Sequence, residues 1–195
     1  VKNIIKKYNV KLFSTNFALY GDMSQRVMNI LSNLIPNIEI YSIDEAFLDM
    51  SDFKHQDIEP VCHMIRKKIL QYTGIPVSIG VGRTKTLAKV SNHIAKMSKK
   101  HKGVFVLNSI YEKSVLDKIP VEKVWGVGRK LKNLLKLYGI KTAKQLRYVD
   151  LTWARSKMTV VGEKMVKELR GESCHLVEYS NVDKKSICTS RTFGN

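Results

Sequence analysis

Two carboxylates, Asp44 and Glu45, stand side by side in the stretch YSIDEAFLDM, between two short apolar runs. Adjacent carboxylates repel each other and need cations to offset the repulsion. Mg²⁺ prefers carboxylate oxygens together with substrate phosphates. Two such ions about 3.5–4 Å apart can clamp the attacking and leaving oxygens of a phosphoryl transfer. Neighbours in a regular strand point to opposite faces, whereas at a junction between two strands both side chains can converge. An isolated Asp-Glu dipeptide reads more readily as an acidic turn in solvent, so its company decides. Asp49 lies too far along the second strand for a third ligand and is expected to be exposed.

That company is basic. The chain has 34 Lys+Arg against 17 Asp+Glu, a net charge of +17 over 195 residues. Residues 83–147 hold 17 basic side chains and 3 acidic ones (Glu112, Asp117, Glu122), which leaves only +3 for the rest of the chain. A phosphate backbone is the natural counter-surface for such a concentration. In RTKTLAKVSNHIAKMSKK, Lys85, Lys89 and Lys96 share one face of a helix, while Leu87, Val90, Ser91 and Ile94 take another that can pack on a sheet. This helix begins just after a glycine-containing strand end, a setting suited to phosphate. In WGVGRKLKNLL, Gly126, Val127 and Gly128 form a hairpin whose exposed N–H groups suit a DNA phosphate, with Arg129 and Lys130 beside it. The similar unit around Gly162 is less basic and reads as a packing partner. GVGRTKT, residues 80–86, misses the phosphate-binding P-loop because Thr84 stands where a glycine should precede the lysine. Nucleotide hydrolysis is therefore the minor alternative.

The elements that must position these groups follow from periodicity. VKLF near the start alternates as an edge strand would. NFALYGDMSQRVMNILSNLI reads as an amphipathic helix through Val27, Ile30, Leu31 and Leu34, stopped by Pro36-Asn37. IEIYSI and AFLDM are strands flanking the carboxylates. IEPVCHMIRKKILQYTG is a helix closed by Gly74, IPVSIGVG a strand, the lysine-bearing segment a third helix and GVFVL a further strand. Strands paired among helices favour an α+β fold. After residue 107 strand signals fade into short helices. A hydrophobic fraction of 44% supports a packed core, and apolar runs fall far short of the ~20 residues of a membrane span. Cys62, Cys174 and Cys188 have no CxxC spacing, and three is an odd number, so free thiols in a reducing compartment are expected.

YSIDEAFLD, SIGVGRTKTLAKVSNHIAK and VWGVGRKL together resemble the Y-family translesion DNA polymerases. FSTNFALYGDMSQRVM and TSRTFG are similar to the bacterial UmuC branch. The resemblance implies a palm of mixed or antiparallel sheet with helices on one face, followed by a small all-α thumb with helix-hairpin-helix units. Residues 1–13 would be a fingers remnant, 14–107 the palm without its first strand, 108–178 the thumb, and 179–195 a linker entering the little-finger domain. It implies that Asp44 and Glu45 are catalytic and both bind metal, and that Lys96 and Ser42 bind nucleotide. Gly126, Val127, Gly128, Arg129, Lys130, Lys85 and Lys89 would bind DNA. It further implies two Mg²⁺ ions, a metal-binding aspartate upstream of Val1, primer-template DNA and dNTP as substrates, and no membrane. A sliding clamp and a UmuD-like accessory protein would act through regions outside these residues, in the bacterial cytoplasm during SOS mutagenesis. The chain alone is expected to be inactive. The rival reading is a non-catalytic DNA-binding module built on the hairpins.

Overall fold

The structure, a computed structural model, describes residues 2–53 and 57–178. The expected linker and little-finger start, 179–195 with Cys188, lie outside the described residues. The chain opens with a short helix α1 (Lys2–Lys7) rather than a strand. The VKLF stretch forms no strand, and Leu12 and Phe13 are exposed. No neighbouring strand among the described residues supplies the hydrogen bonds that alternation alone cannot make.

Helix α2 (Phe17–Leu34) starts at Asn16, whose side chain accepts from the Leu19 N–H, and ends before Pro36 as expected. Strands β1 (Ile38–Ile40) and β2 (Ala46–Leu48) pair antiparallel, Glu39 opposite Phe47. Helix α3 (Ile58–Thr73) closes on Gly74 at φ 71°, left-handed backbone that glycine adopts without a Cβ penalty. Strand β3 (Ile79–Val81), helix α4 (Lys85–Met97) and strand β4 (Val104–Val106) complete the α+β part, β3 and β4 being parallel. Among the described residues the strands form two separate pairs, not one continuous sheet. A wide cleft lies between them, lined by Leu31, Phe47, Ile65 and Ile79 on its apolar side and by Asp44, Glu45, Lys89 and Lys96 on its polar side.

The helical part contains α5 (Glu112–Asp117), α6 (Arg129–Leu137), α7 (Ala143–Arg147) and α8 (Leu151–Arg170). Helix α7 begins with a capping box: the Thr142 hydroxyl accepts from the Gln145 N–H, and the Gln145 side chain accepts from the Thr142 N–H. Helix α8 is kinked at Thr159, which holds φ 64° and ψ −170°. Met28, Leu31, Ile35, Ile65 and Ile69 form a core between α2 and α3. The larger core runs across residue 107, joining Leu87 and Val90 of α4 to Leu116, Leu135, Val166 and Leu169. Strand texture stops at Val106, yet α4 belongs to both halves: one side packs on β3 and β4, another on α8.

Two buried carboxylates fasten that seam. Glu168, fully buried, accepts from the Thr86 N–H at 3.0 Å and the Cys174 N–H at 2.6 Å. Glu112 pairs with Arg83 at 2.9 Å and with Arg147. Buried charges persist only when so paired and hydrogen-bonded. Among the described residues no buried side-chain nitrogen or oxygen lacks a partner.

Candidate active site

The carboxylates sit on the turn joining β1 to β2. Its geometry is fixed by two backbone bonds, as Tyr41 and Ser42 N–H groups both donate to the Glu45 carbonyl at 3.0 Å. Asp44 is exposed at the tip, and the Ser42 hydroxyl donates to its Oδ1 at 2.7 Å. Ser42 is thus committed to orienting Asp44. Glu45 is half-buried, and its Oε1 pairs with Lys89 Nζ at 2.7 Å. Asp49 is half-buried rather than exposed, and its Oδ1 accepts from the Ser51 N–H and hydroxyl at 2.9 and 2.5 Å.

Helix α4 does not present the free basic stripe that its spacing suggests. Lys85 is only 8% exposed; its Nζ lies 2.5 Å from Glu39 Oε2 and 5.0 Å from the Phe47 ring centroid. A lysine so enclosed has no face left for a DNA backbone, which corrects its expected place on the DNA surface. The spacing located the helix face, while the distant Glu39 on β1 decided what that face meets. Lys89 sits 5.3 Å over the Tyr41 ring as well as on Glu45, so it faces the carboxylate site. Lys96 is exposed in the last turn, about 10 Å further along the axis at 1.5 Å per residue, and lines the same cleft.

The glycines of GVGRTKT serve packing. A Cβ on Gly80 would lie 1.9 Å from the Asn92 nitrogen, and one on Gly82 would lie 2.6 Å from the Ala88 nitrogen. The first turn of α4 is already filled: Thr84 caps Leu87, and the Glu168 carboxylate takes the Thr86 N–H. Two of the amides a nucleotide phosphate would need there are therefore taken, which weakens the basis for an ATPase.

The second hairpin is open. Gly126 turns at φ 88°, and a Cβ on Gly128 would meet nothing within 4 Å. Val127 is buried and anchors the turn, while Gly128, Arg129 and Lys130 are exposed. Gly128 starts α6 without a side-chain cap, and no acidic residue lies in the first turn. Unfilled N–H groups at such a terminus, with two cations beside them, suit a phosphate. The unit around Gly162 differs, because Glu163 there is paired with Arg155 and Lys167, which hold its carboxyl below the usual range.

The two hairpins meet through residues that sequence reading passed over. Trp125 Nε1 donates to the Tyr41 hydroxyl at 3.3 Å, their ring centroids lie 5.6 Å apart at 83°, and Phe47 stacks beside both. Such edge-on aromatic pairs add about 0.5–1.5 kcal/mol beyond area burial. Each residue stands next to a motif, and their contact spans 84 positions, which no local pattern reports. Glu168 was invisible for the same reason.

A mixed layer bearing a carboxylate turn is joined to a helical unit with a basic hairpin, an α+β arrangement shared with solved Y-family polymerases. Residues 1–93 match the impB/mucB/samB family, and the chain belongs to that family. It is 42% identical over 196 residues to protein UmuC of Salmonella typhimurium, covering 99% of this chain and 46% of that protein. Protein ImpB of the same organism is 38% identical, with 100% and 47% covered. The chain therefore spans slightly less than half of these relatives. Its fold superposes on DinB from Sulfolobus solfataricus with a TM-score of 0.68 and 25% identity, over 83% of this chain and 48% of that one. Among the described residues no helix is long and apolar enough to cross a membrane.

Proposed function

We propose that the chain is the palm and thumb of an error-prone translesion DNA polymerase that adds deoxynucleotides to a primer 3′-hydroxyl opposite damaged template. One observation carries this reading: the Asp44–Glu45 turn and the open hairpin at 126–128 lie side by side, tied by Tyr41 and Trp125. A grip on the DNA backbone next to a carboxylate pair is the arrangement phosphoryl transfer needs, since its catalysis is mostly positioning and charge neutralisation.

Asp44 and Glu45 fit Mg²⁺: both offer hard oxygens at the edge of an open cleft, Asp44 exposed and Glu45 half-buried. Among the described residues no group of three or more His, Cys, Asp or Glu surrounds them. An ion there would draw remaining ligands from water, substrate phosphates and an aspartate of another segment. Bound in pairs, such ions would polarise the primer hydroxyl and neutralise charge on the transferred phosphoryl. This chain's residues do the rest. Ser42 orients Asp44, Lys89 steadies Glu45, Lys96 reaches the triphosphate, and the 126–128 hairpin with Arg129 and Lys130 holds the DNA backbone. The reaction belongs to the bacterial cytoplasm and the response to DNA damage, with a sliding clamp and a UmuD-like accessory protein as partners of the larger assembly.

The test is Asp44→Asn in a protein carrying this chain with its flanking polymerase segments. Primer extension falls by at least about 10²-fold, the scale of losing one charge-stabilising group, while primer-template affinity stays within about two-fold. Extension that survives the substitution makes the chain a DNA-binding module instead. The 195-residue chain by itself binds primer-template DNA without extending it.

A further inference from the structure

We propose that Tyr41 and Trp125 are positioning residues that couple a divalent cation at Asp44 and Glu45 to a DNA phosphate at the 126–128 hairpin, the Lys89 ammonium being the part that moves. The proposal rests on the polymerase reading above and adds a route between its two binding places.

The contacts are continuous. Lys89 Nζ lies 2.7 Å from Glu45 Oε1 and 5.3 Å over the Tyr41 ring. Tyr41 and Glu45 are the two ends of one turn, locked by the Tyr41 N–H to Glu45 carbonyl bond. The Tyr41 hydroxyl accepts from Trp125, which precedes Gly126 in the chain. Trp125 is half-buried, and His175 packs on it with ring centroids 5.7 Å apart, so the indole is held from two sides. Tyr41 itself is exposed, and its hydroxyl is its tie to the hairpin, through Trp125.

The switch follows from charge. Without a divalent ion, the Lys89 ammonium is the cation on Glu45. An ion that takes the same carboxylate repels that ammonium, which then loses Glu45 and bears only on the Tyr41 face it already covers. Displacing Lys89 from Glu45 shifts the ring on which Trp125 rests, and with it the turn that presents the first-turn amides of α6, the Val127 and Gly128 N–H groups being bonded within the turn to Val124 and Gly126. Linkage then demands reciprocity: phosphate at the hairpin must tighten cation binding by the same factor. Simple aromatic packing makes a different prediction, namely that the two ligands bind independently.

The experiment uses the 195-residue chain, a fluorescein-labelled primer-template duplex and MnCl₂ at constant ionic strength. DNA affinity is measured by anisotropy with and without Mn²⁺, and the ratio of the two dissociation constants is the coupling. In a Trp153→Phe background Trp125 is the single indole, and its emission responds to Mn²⁺ before DNA is added. The expected ratio is about five-fold or more, the lower end for coupled sites. The Mn²⁺ dissociation constant, titrated by electron paramagnetic resonance of the free ion, falls by the matching factor when DNA is present. The ratio drops to about one in Trp125→Phe, which keeps a ring and loses the indole N–H, and in Tyr41→Phe, which loses only the hydroxyl. An unchanged ratio in both variants overturns the proposal, as does independent binding in the parent chain. A chain that binds no primer-template DNA overturns the polymerase reading, and the coupling falls with it.

Discussion

At the residue scale, single side chains carry conformational and chemical costs that can be read directly. Thr159 sits at φ 64° and ψ −170°, a region open essentially to glycine and costing about 1–3 kcal/mol otherwise. Thr159→Gly is expected to stabilise the chain by about 1 kcal/mol and raise its melting temperature by about 3 °C, checked by calorimetry. Cys62 is buried, and that burial, with Glu59 nearby, pushes its thiol up to about 11 from 9.0. The folded chain holds this proton more tightly than the unfolded one, so its contribution to stability is complete below pH 9 and is lost as pH rises towards 11. Denaturant midpoints measured across that window should fall, and Cys62→Ala should flatten the fall. Lys85 teaches the opposite lesson about charge: enclosed against Glu39 and Phe47, it is structural, and Lys85→Ala should cost about 3–5 kcal/mol by stranding Glu39.

At the element scale, α4 organises the molecule. It packs on β3 and β4, on α8, and through Lys89 on the carboxylate turn. Glu168 of α8 sets its position by accepting from Thr86 and from Cys174, and Thr84 donates back to the Glu168 carbonyl at 2.9 Å. Glu168→Ala leaves three N–H groups without this acceptor, that of buried Thr86 and those of half-buried Cys174 and His175, the buried one alone at about 1–3 kcal/mol. Urea unfolding should show a loss of about 3 kcal/mol, whereas a value within error of the parent would mean water replaces the carboxylate. The helix ends at Pro36 and Gly74 were legible because their signals are local, and the structure adds Asn16 and Asp57 as N-caps and Gly171 as a left-handed C-cap. The VKLF segment was misread because alternation states only that a strand is affordable, not that a neighbour exists to pair with it.

At the scale of the whole molecule, charge decides what the chain meets. The excess within residues 83–147 is partly spent internally, with Arg83 and Arg147 on Glu112, Lys85 on Glu39 and Lys89 on Glu45. The outward share includes the exposed Arg129 and Lys130 at the open hairpin, cations of the kind a phosphate backbone attracts. Binding to a duplex should weaken with salt with a logarithmic slope of about −0.9 per phosphate neutralised. Arg129→Ala should reduce that slope by about one unit with little change between sequences, measured by anisotropy over a salt series. A slope unaffected by Arg129→Ala would move the backbone contact away from the hairpin.

The sequence by itself determined the order of helices and strands from α2 to β4, the turn carrying Asp44 and Glu45, and the hairpin at 126–128, because each is written in a few consecutive residues. Periodicity, caps and glycine positions act within one or two turns of chain, so a linear reading captures them. Only the tertiary structure decided which lysines are free and which carboxylates are buried. It also decided that α4 belongs to both halves and that Tyr41 meets Trp125. Those outcomes depend on groups tens of residues apart sharing one small volume, where low dielectric and close packing select partners that spacing cannot name.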